Sequence, residues 1–241
     1  MDLEKLAKFN MEQLTKNSYP GRGIISGLSP DGGHYVQIYW IMGRSQNSRN
    51  RVFQNEKGFV RTKAFDESKV TDPSLIIYYP VKFWQNCHIV SNGDQTDTIY
   101  ECLQNGGTFE EALDTRKFEP DAPNFTPRIS GIIDFNDSRS LYQLSIIKSA
   151  ANRPETCIHS YFRYSKGIPG VGHCLHTYSG DGEPLPSFAG EPYPVILYND
   201  IDQTANCYWD LLNRDNRVSL LAKYIDIRTH ESEIRIINQN K

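Results

Sequence analysis

Three arginines, Arg44, Arg49 and Arg51, fall in the stretch MGRSQNSRNRVF, directly after the apolar run HYVQIYWIM. Guanidinium forks pair with phosphate oxygens, and the neighbouring Gly43 and Ser45 let a ligand approach the backbone. Two further arginines have similar settings, Arg22 in YPGRG and Arg128 in TPRIS. A phosphate dianion needs two or three such donors, so the set suits one small anion. Taken singly, each arginine reads better as a solvated strand end whose ion pairs contribute little; for the three together beside Gly43 and Ser45 the two readings are balanced.

Other groups suit acid–base or recognition chemistry. In VSNGDQTDTI a tight turn leads into a helix whose free N–H groups favour negative charge, and the Asn92 amide has the donors and acceptor to orient a heterocycle. The plain alternative is a well-capped turn, since Asp94, Thr96 and Asp97 all cap helices. KFEPDAPNFTPR places Glu119, Asp121 and Asn124 in a loop before Arg128, where a carboxylate in a partly closed site serves as a general base. HCLHTYSGDGEPLPSF offers His173, His176 and Tyr178. The two histidines point to opposite faces of a strand, so no metal site is expected. Tyr178 precedes a glycine-rich loop and suits a proton donor under a lid.

The composition bounds these readings. The chain has 241 residues and a formal net charge of −3, which argues against a general nucleic-acid binder. Five cysteines without a CxxC spacing fit reduced thiols in a cytoplasmic protein. No apolar run is long enough for a bilayer. The opening MDLEKLAKFNMEQL is not a signal peptide, and an N-terminal Cys, Ser or Thr nucleophile is expected to be absent. Nucleotide-triphosphate, dinucleotide, serine-hydrolase and zinc-protease motifs are missing.

The elements that must position these groups are mostly strands. Residues 2–16 carry Leu3, Leu6, Phe9 and Leu14 near helical spacing, and SYPGRG stops the helix. GIISGL and HYVQIYWIM predict strands joined by SPDGG, a hairpin signal. GFVRTKAF, SLIIYY and NCHIVS predict further strands, QTDTIYECLQ a helix, and GGTFEEALD a second helix with a Thr108/Glu111 capping box. RISGIIDF, SLYQLSIIKSA, TCIHSYFRY, HCLHTY, RVSLLAKYIDI and SEIRII predict extended segments, and DQTANCYWDLLN a helix. Nothing divides the chain, so one α+β domain over residues 1–241 is expected.

The order Y-x-G-R-G, then arginine and serine after a strand, then V-S-N-G-x-x-T-D-T-I, then T-P-R-I resembles the archaeal-type IMP cyclohydrolases. VSNGDQTDTI and FTPRI carry the resemblance most specifically; it runs from Tyr19 to Ile133 and returns faintly at HTYSGDGEPLPSF. Residues 1–18 lie outside it as an N-terminal helical extension. The arginine stretch, GRSQNSRNR, is longer than the family's: Arg44 and Arg51 match its ends and Arg49 has no counterpart.

The resemblance implies an α+β, four-layer αββα sandwich of the N-terminal-nucleophile-hydrolase type, lacking the N-terminal nucleophile. It implies ring closure of 5-formamidoimidazole-4-carboxamide ribonucleotide to IMP with loss of water, the last step of de novo purine biosynthesis. No cofactor or metal is implied. Arg22, Arg44, Arg51 and Arg128 would share the phosphate and the polarised oxygens. Ser45 and Thr126 would join the substrate site, while Asn92, Gly93, Thr96 and Asp97 hold the base. Glu119 would bind or deprotonate the carboxamide, and Tyr178 or Tyr79 donate to the formyl oxygen. The expected partner is a small-molecule purine nucleotide, with no nucleic acid and no membrane; a homo-oligomer stays open. Two alternatives also stay open: an amide hydrolase or cyclohydrolase with another substrate, and a non-catalytic purine-nucleotide-binding protein.

Overall fold

The first helix, α1 (Leu3–Lys16), buries Ala7, Met11 and Leu14 along one face, with Glu4 in its first turn and Lys16 in its last. Apolar residues at this spacing make a stripe that needs a partner surface, and the charges complement the helix dipole. The computed structural model describes residues 2–70, 73, 75–151 and 153–240. After α1 come β1 (Gly23–Leu28), β2 (His34–Met42), the single turn α2 (Gln46–Arg49), β3 (Arg51–Glu56), β4 (Phe59–Ala64), β5 (Val81–Trp84) and β6 (Cys87–Ser91). Helices α3 (Gln95–Gln104) and α4 (Phe109–Asp114) follow, then β7 (Arg128–Asp134), β8 (Tyr142–Ala150), β9 (Arg153–Tyr164) and β10 (Val171–His176). The chain continues through β11 (Tyr193–Ile196), α5 (Ile201–Leu211), β12 (Arg217–Asp226) and β13 (Ser232–Asn238).

The strands form two antiparallel sheets, of order β11-β10-β1-β2-β12-β13 and β3-β4-β5-β6-β7-β8-β9. Strand β2 explains the stacking. It is central and buried on both faces, and its side chains alternate. Ile38 and Trp40 pack in the cluster containing Met11 and Leu14 of α1 and Ala205 and Tyr208 of α5. Tyr39 and Ile41 face the other way, into the cluster with Val90, Ile129 and Leu144 of the second sheet. The outer face of that sheet is covered by Ile99 of α3 and Phe109 and Leu113 of α4. At one edge the sheets are pinned together, the Asn238 side chain bonding both backbone polar groups of Phe53 at 2.8 and 3.1 Å.

Most predicted elements form, and the Thr108/Glu111 capping box is present. SLIIYY differs. Ser74 lies outside the described residues, and residues 75–79 run as a loop beside β4, where Thr62 N–H donates to Tyr78 O at 2.9 Å and Tyr78 N–H to Thr62 Oγ1 at 2.8 Å. Pro73 and Pro80 bracket the segment, and proline cannot donate to a ladder. RVFQNE, outside the predicted strands, forms strand β3. No helix among the described residues is long and apolar enough to cross a membrane. The five cysteines are free, and no group of His, Cys, Asp or Glu among the described residues is placed to hold a metal.

Candidate functional site

One end of the sandwich gathers the chemistry. Arg22 immediately precedes β1, Arg44 and Ser45 follow β2, Arg51 opens β3, Thr126 precedes β7 and Tyr178 follows β10. Together with Glu119 they line one cavity of about 270 Å³. The tight approach of YPGRG to β10 makes this convergence possible. Gly21 has φ +75°, and a Cβ there would sit 2.2 Å from Thr177 Oγ1 and 2.6 Å from the Tyr178 ring.

Arg51 is 1 % exposed. Its Nε donates to Ser48 O at 2.7 Å and one Nη to Met42 O at 3.4 Å, while the other has no partner. No carboxylate pairs with it among the described residues, and burial lowers its pKa from the ordinary value. A guanidinium stays protonated regardless. Arg22 lies beside it, with Nε also unpartnered and Nη2 3.5 Å from Glu119 Oε2. Glu119 is fully buried, its loop pinned by Glu119 N–H to Thr126 O at 2.9 Å. Burial raises its carboxyl pKa, against the pull of Arg22 and Arg128. Such a carboxyl exchanges protons nearer neutrality than a solvated one.

A hydrogen-bonded chain of side chains lines the same cavity. Thr126 Oγ1 donates to the Asp121 carboxylate and also touches the Tyr178 hydroxyl. A hydroxyl has one proton, so Tyr178 must be the donor to Thr126. Burial pushes the Tyr178 phenol above its ordinary range, keeping it protonated. At the exposed rim Arg44 bonds Asp181 at 2.6 Å and lies 5.0 Å above the Tyr19 ring, which stacks on Tyr178.

Several residues singled out from the sequence lie elsewhere. The Asn92 amide donates to Pro127 O at 2.9 Å, and its oxygen accepts from Ile129 N–H and from Gln95 at 2.8 and 2.9 Å. It fastens the turn to β7, is fully buried and does not line the cavity. Arg128 is likewise engaged, by Lys117 O, Asp94 and Gln95. Its Nη1 lies 2.7 Å from where a Cβ on Gly93 would be, with Glu119 Oε1 at 3.6 Å, so this turn backs the Glu119 wall without lining the cavity. Thr96 bonds Ser91 and Gly93, and Asp97 pairs with Lys82 at 2.7 Å. Tyr79 hydrogen-bonds Glu56 at 3.0 Å, away from the cavity. Ser45 does line the cavity, and its side chain caps α2 by accepting from Ser48 N–H.

Sequence reasoning missed Tyr78. Its hydroxyl is 2.7 Å from that of Tyr39, and both rings interact electrostatically with Arg51. Ile76 and Tyr78, two apart in the apolar run SLIIYY, are both buried. Tyr19 also lines the cavity and was legible only as part of YPGRG. Asp121 and Asn124 were visible as loop polars; Asn124 Oδ1 accepts from Leu185 N–H at 3.0 Å and ties that loop to the one after Tyr178.

Comparison with known proteins adds two findings. The family model described as IMP cyclohydrolase-like protein matches residues 19–231. The IMP cyclohydrolase of Methanopyrus kandleri is 30% identical over 173 residues, covering 70% of this chain and 79% of the relative.

Proposed function

The chain belongs to the IMP cyclohydrolase-like family and is a cyclohydrolase; on that premise we propose that it closes 5-formamidoimidazole-4-carboxamide ribonucleotide to IMP. The observation that carries the substrate assignment is the buried, carboxylate-free guanidinium of Arg51 beside Arg22, both lining one cavity and each with an unpartnered N–H. A buried charge without a counterion is costly, and a phosphate monoester supplies that counterion with matching bidentate geometry.

Both reacting groups sit on one imidazole, so orientation supplies much of the rate. Glu119 takes a proton from the carboxamide nitrogen as that nitrogen bonds to the formyl carbon. The Tyr178 hydroxyl turns from Thr126 to the substrate and gives its proton to the formyl oxygen, leaving a carbinolamine and a phenolate. That hydroxyl then departs as water with a proton returned from Glu119, and the former formamido nitrogen passes its proton to the Tyr178 phenolate as the C=N bond forms. Arg22, 3.5 Å from Glu119, stabilises the charge on the oxygen.

The finer fold assignment belongs to the same reading. Two antiparallel sheets with helices on both outer faces support a sandwich of the N-terminal-nucleophile-hydrolase type, with Arg22 and Gly23 where β1 begins. We also place the reaction in the cytoplasm, where five unpaired thiols persist. Incubation with the formamido ribonucleotide tests the function: hypoxanthine absorbance should appear without added cofactor, and its absence at saturating substrate would remove this substrate.

A further inference from the structure

Arg49, the arginine without a counterpart, does not reach the cavity. It lines a neighbouring groove of about 470 Å³, and Arg44 lines both. Lys69, Phe65, Gln46 and Asn240 complete most of the groove, and none of its lining residues is acidic. Among the described residues Arg49 meets only neutral acceptors, Gly43 O at 2.9 Å and Asn216 Oδ1 at 3.3 Å. Lys69 shares Asp66 at 2.8 Å and Arg44 shares Asp181 at 2.6 Å, both as exposed pairs. Such pairs contribute little and exchange readily for a phosphate. Phe65, which lines the groove, is 51% exposed.

Three cations beside an uncovered aromatic ring match a polyphosphate chain with an attached base. The groove is larger than the cavity, so it suits a larger ligand than a monophosphate. We propose that it is a second nucleotide site, binding a nucleoside triphosphate with its phosphates on Arg49, Lys69 and Arg44 and its base against Phe65. Arg44 then belongs to two ligands at once, and occupancy of the groove raises KM at the first site. That coupling rests on the proposed function; the binding does not.

The test is calorimetric titration of the full chain with ATP, using wild type, Arg49→Met, Lys69→Met, Phe65→Ser and Arg51→Met. One equivalent should bind. Affinity should fall about tenfold or more in the first three variants, as loss of one charged or stacking contact predicts, and hold in Arg51→Met. Unchanged affinity in Arg49→Met with loss in Arg51→Met would overturn the proposal by moving ATP into the cavity. Tripolyphosphate binding as tightly as ATP would overturn the role of Phe65. A ring-closing assay with ATP present gives the KM arm, and the titration decides the site even if that substrate is not turned over.

Discussion

Arg51 is held by two backbone carbonyls and no carboxylate, an arrangement that favours a ligand over the fold. Arg51→Met should therefore raise KM for the ribonucleotide about 10- to 100-fold, the worth of a charge-assisted contact, without lowering the melting temperature. Steady-state kinetics alongside calorimetry checks both halves. Glu119 must be ionised to accept the carboxamide proton, and its pKa is raised by burial. The acid limb of kcat/KM should thus lie above the ordinary carboxylate range, with activity falling as pH drops through it. Glu119→Gln should abolish that limb and cost roughly 10²–10⁴ in kcat. Lys223 tests the same physics without a ligand. It is fully buried, its ammonium unpartnered 5.6 Å from the centre of the Phe83 ring, and burial lowers its pKa to about 7. Between about 7 and the ordinary 10.5 the unfolded chain binds the extra proton. Stability therefore rises with pH across that window, and the penalty is complete below it. Lys223→Met should be the more stable protein in urea at pH 7, with its advantage shrinking towards pH 10.

At the scale of elements, the turn after β6 is a clamp. Asn92 satisfies three partners that would otherwise be buried without a bond. Asn92→Ala should destabilise the protein by about 2–4 kcal/mol, measured by denaturant unfolding, and should lower kcat chiefly through the displaced Glu119 wall. A large KM effect with unchanged stability would contradict that assignment. The same turn shows what the chain makes legible. VSNGDQTDTI announces strand, turn and helix through its punctuation, so the elements were readable. Which polar groups face a ligand was not, because Asn92 and Arg128 bond partners across the sheet that no local pattern encodes. Strand β3 was obscured by RVFQNE, whose alternation is weak and whose first residue belongs to the site. The sequence points to Tyr79 and not to Tyr78, because which of the two is buried is set by the packing of a loop between two prolines.

The whole molecule resolves the puzzle of an arginine knot in an acidic protein. Net charge governs the distant field, whereas the cavity sees Arg22, Arg51 and Glu119 at close range in a dry setting. The six-stranded sheet contributes Arg22 and Tyr178 and the seven-stranded sheet Arg51 and Thr126, so the site exists only when both sheets stack. Helix α1 precedes the matched family region yet buries Met11 and Leu14 on the first sheet. The most direct test is a crystal structure with IMP. The account predicts the phosphate within about 3 Å of the free Arg51 nitrogen and of Arg22, with the purine ring beside Glu119 and Tyr178. A phosphate bound at the Asn92 turn, with Arg51 still unpartnered, would contradict it.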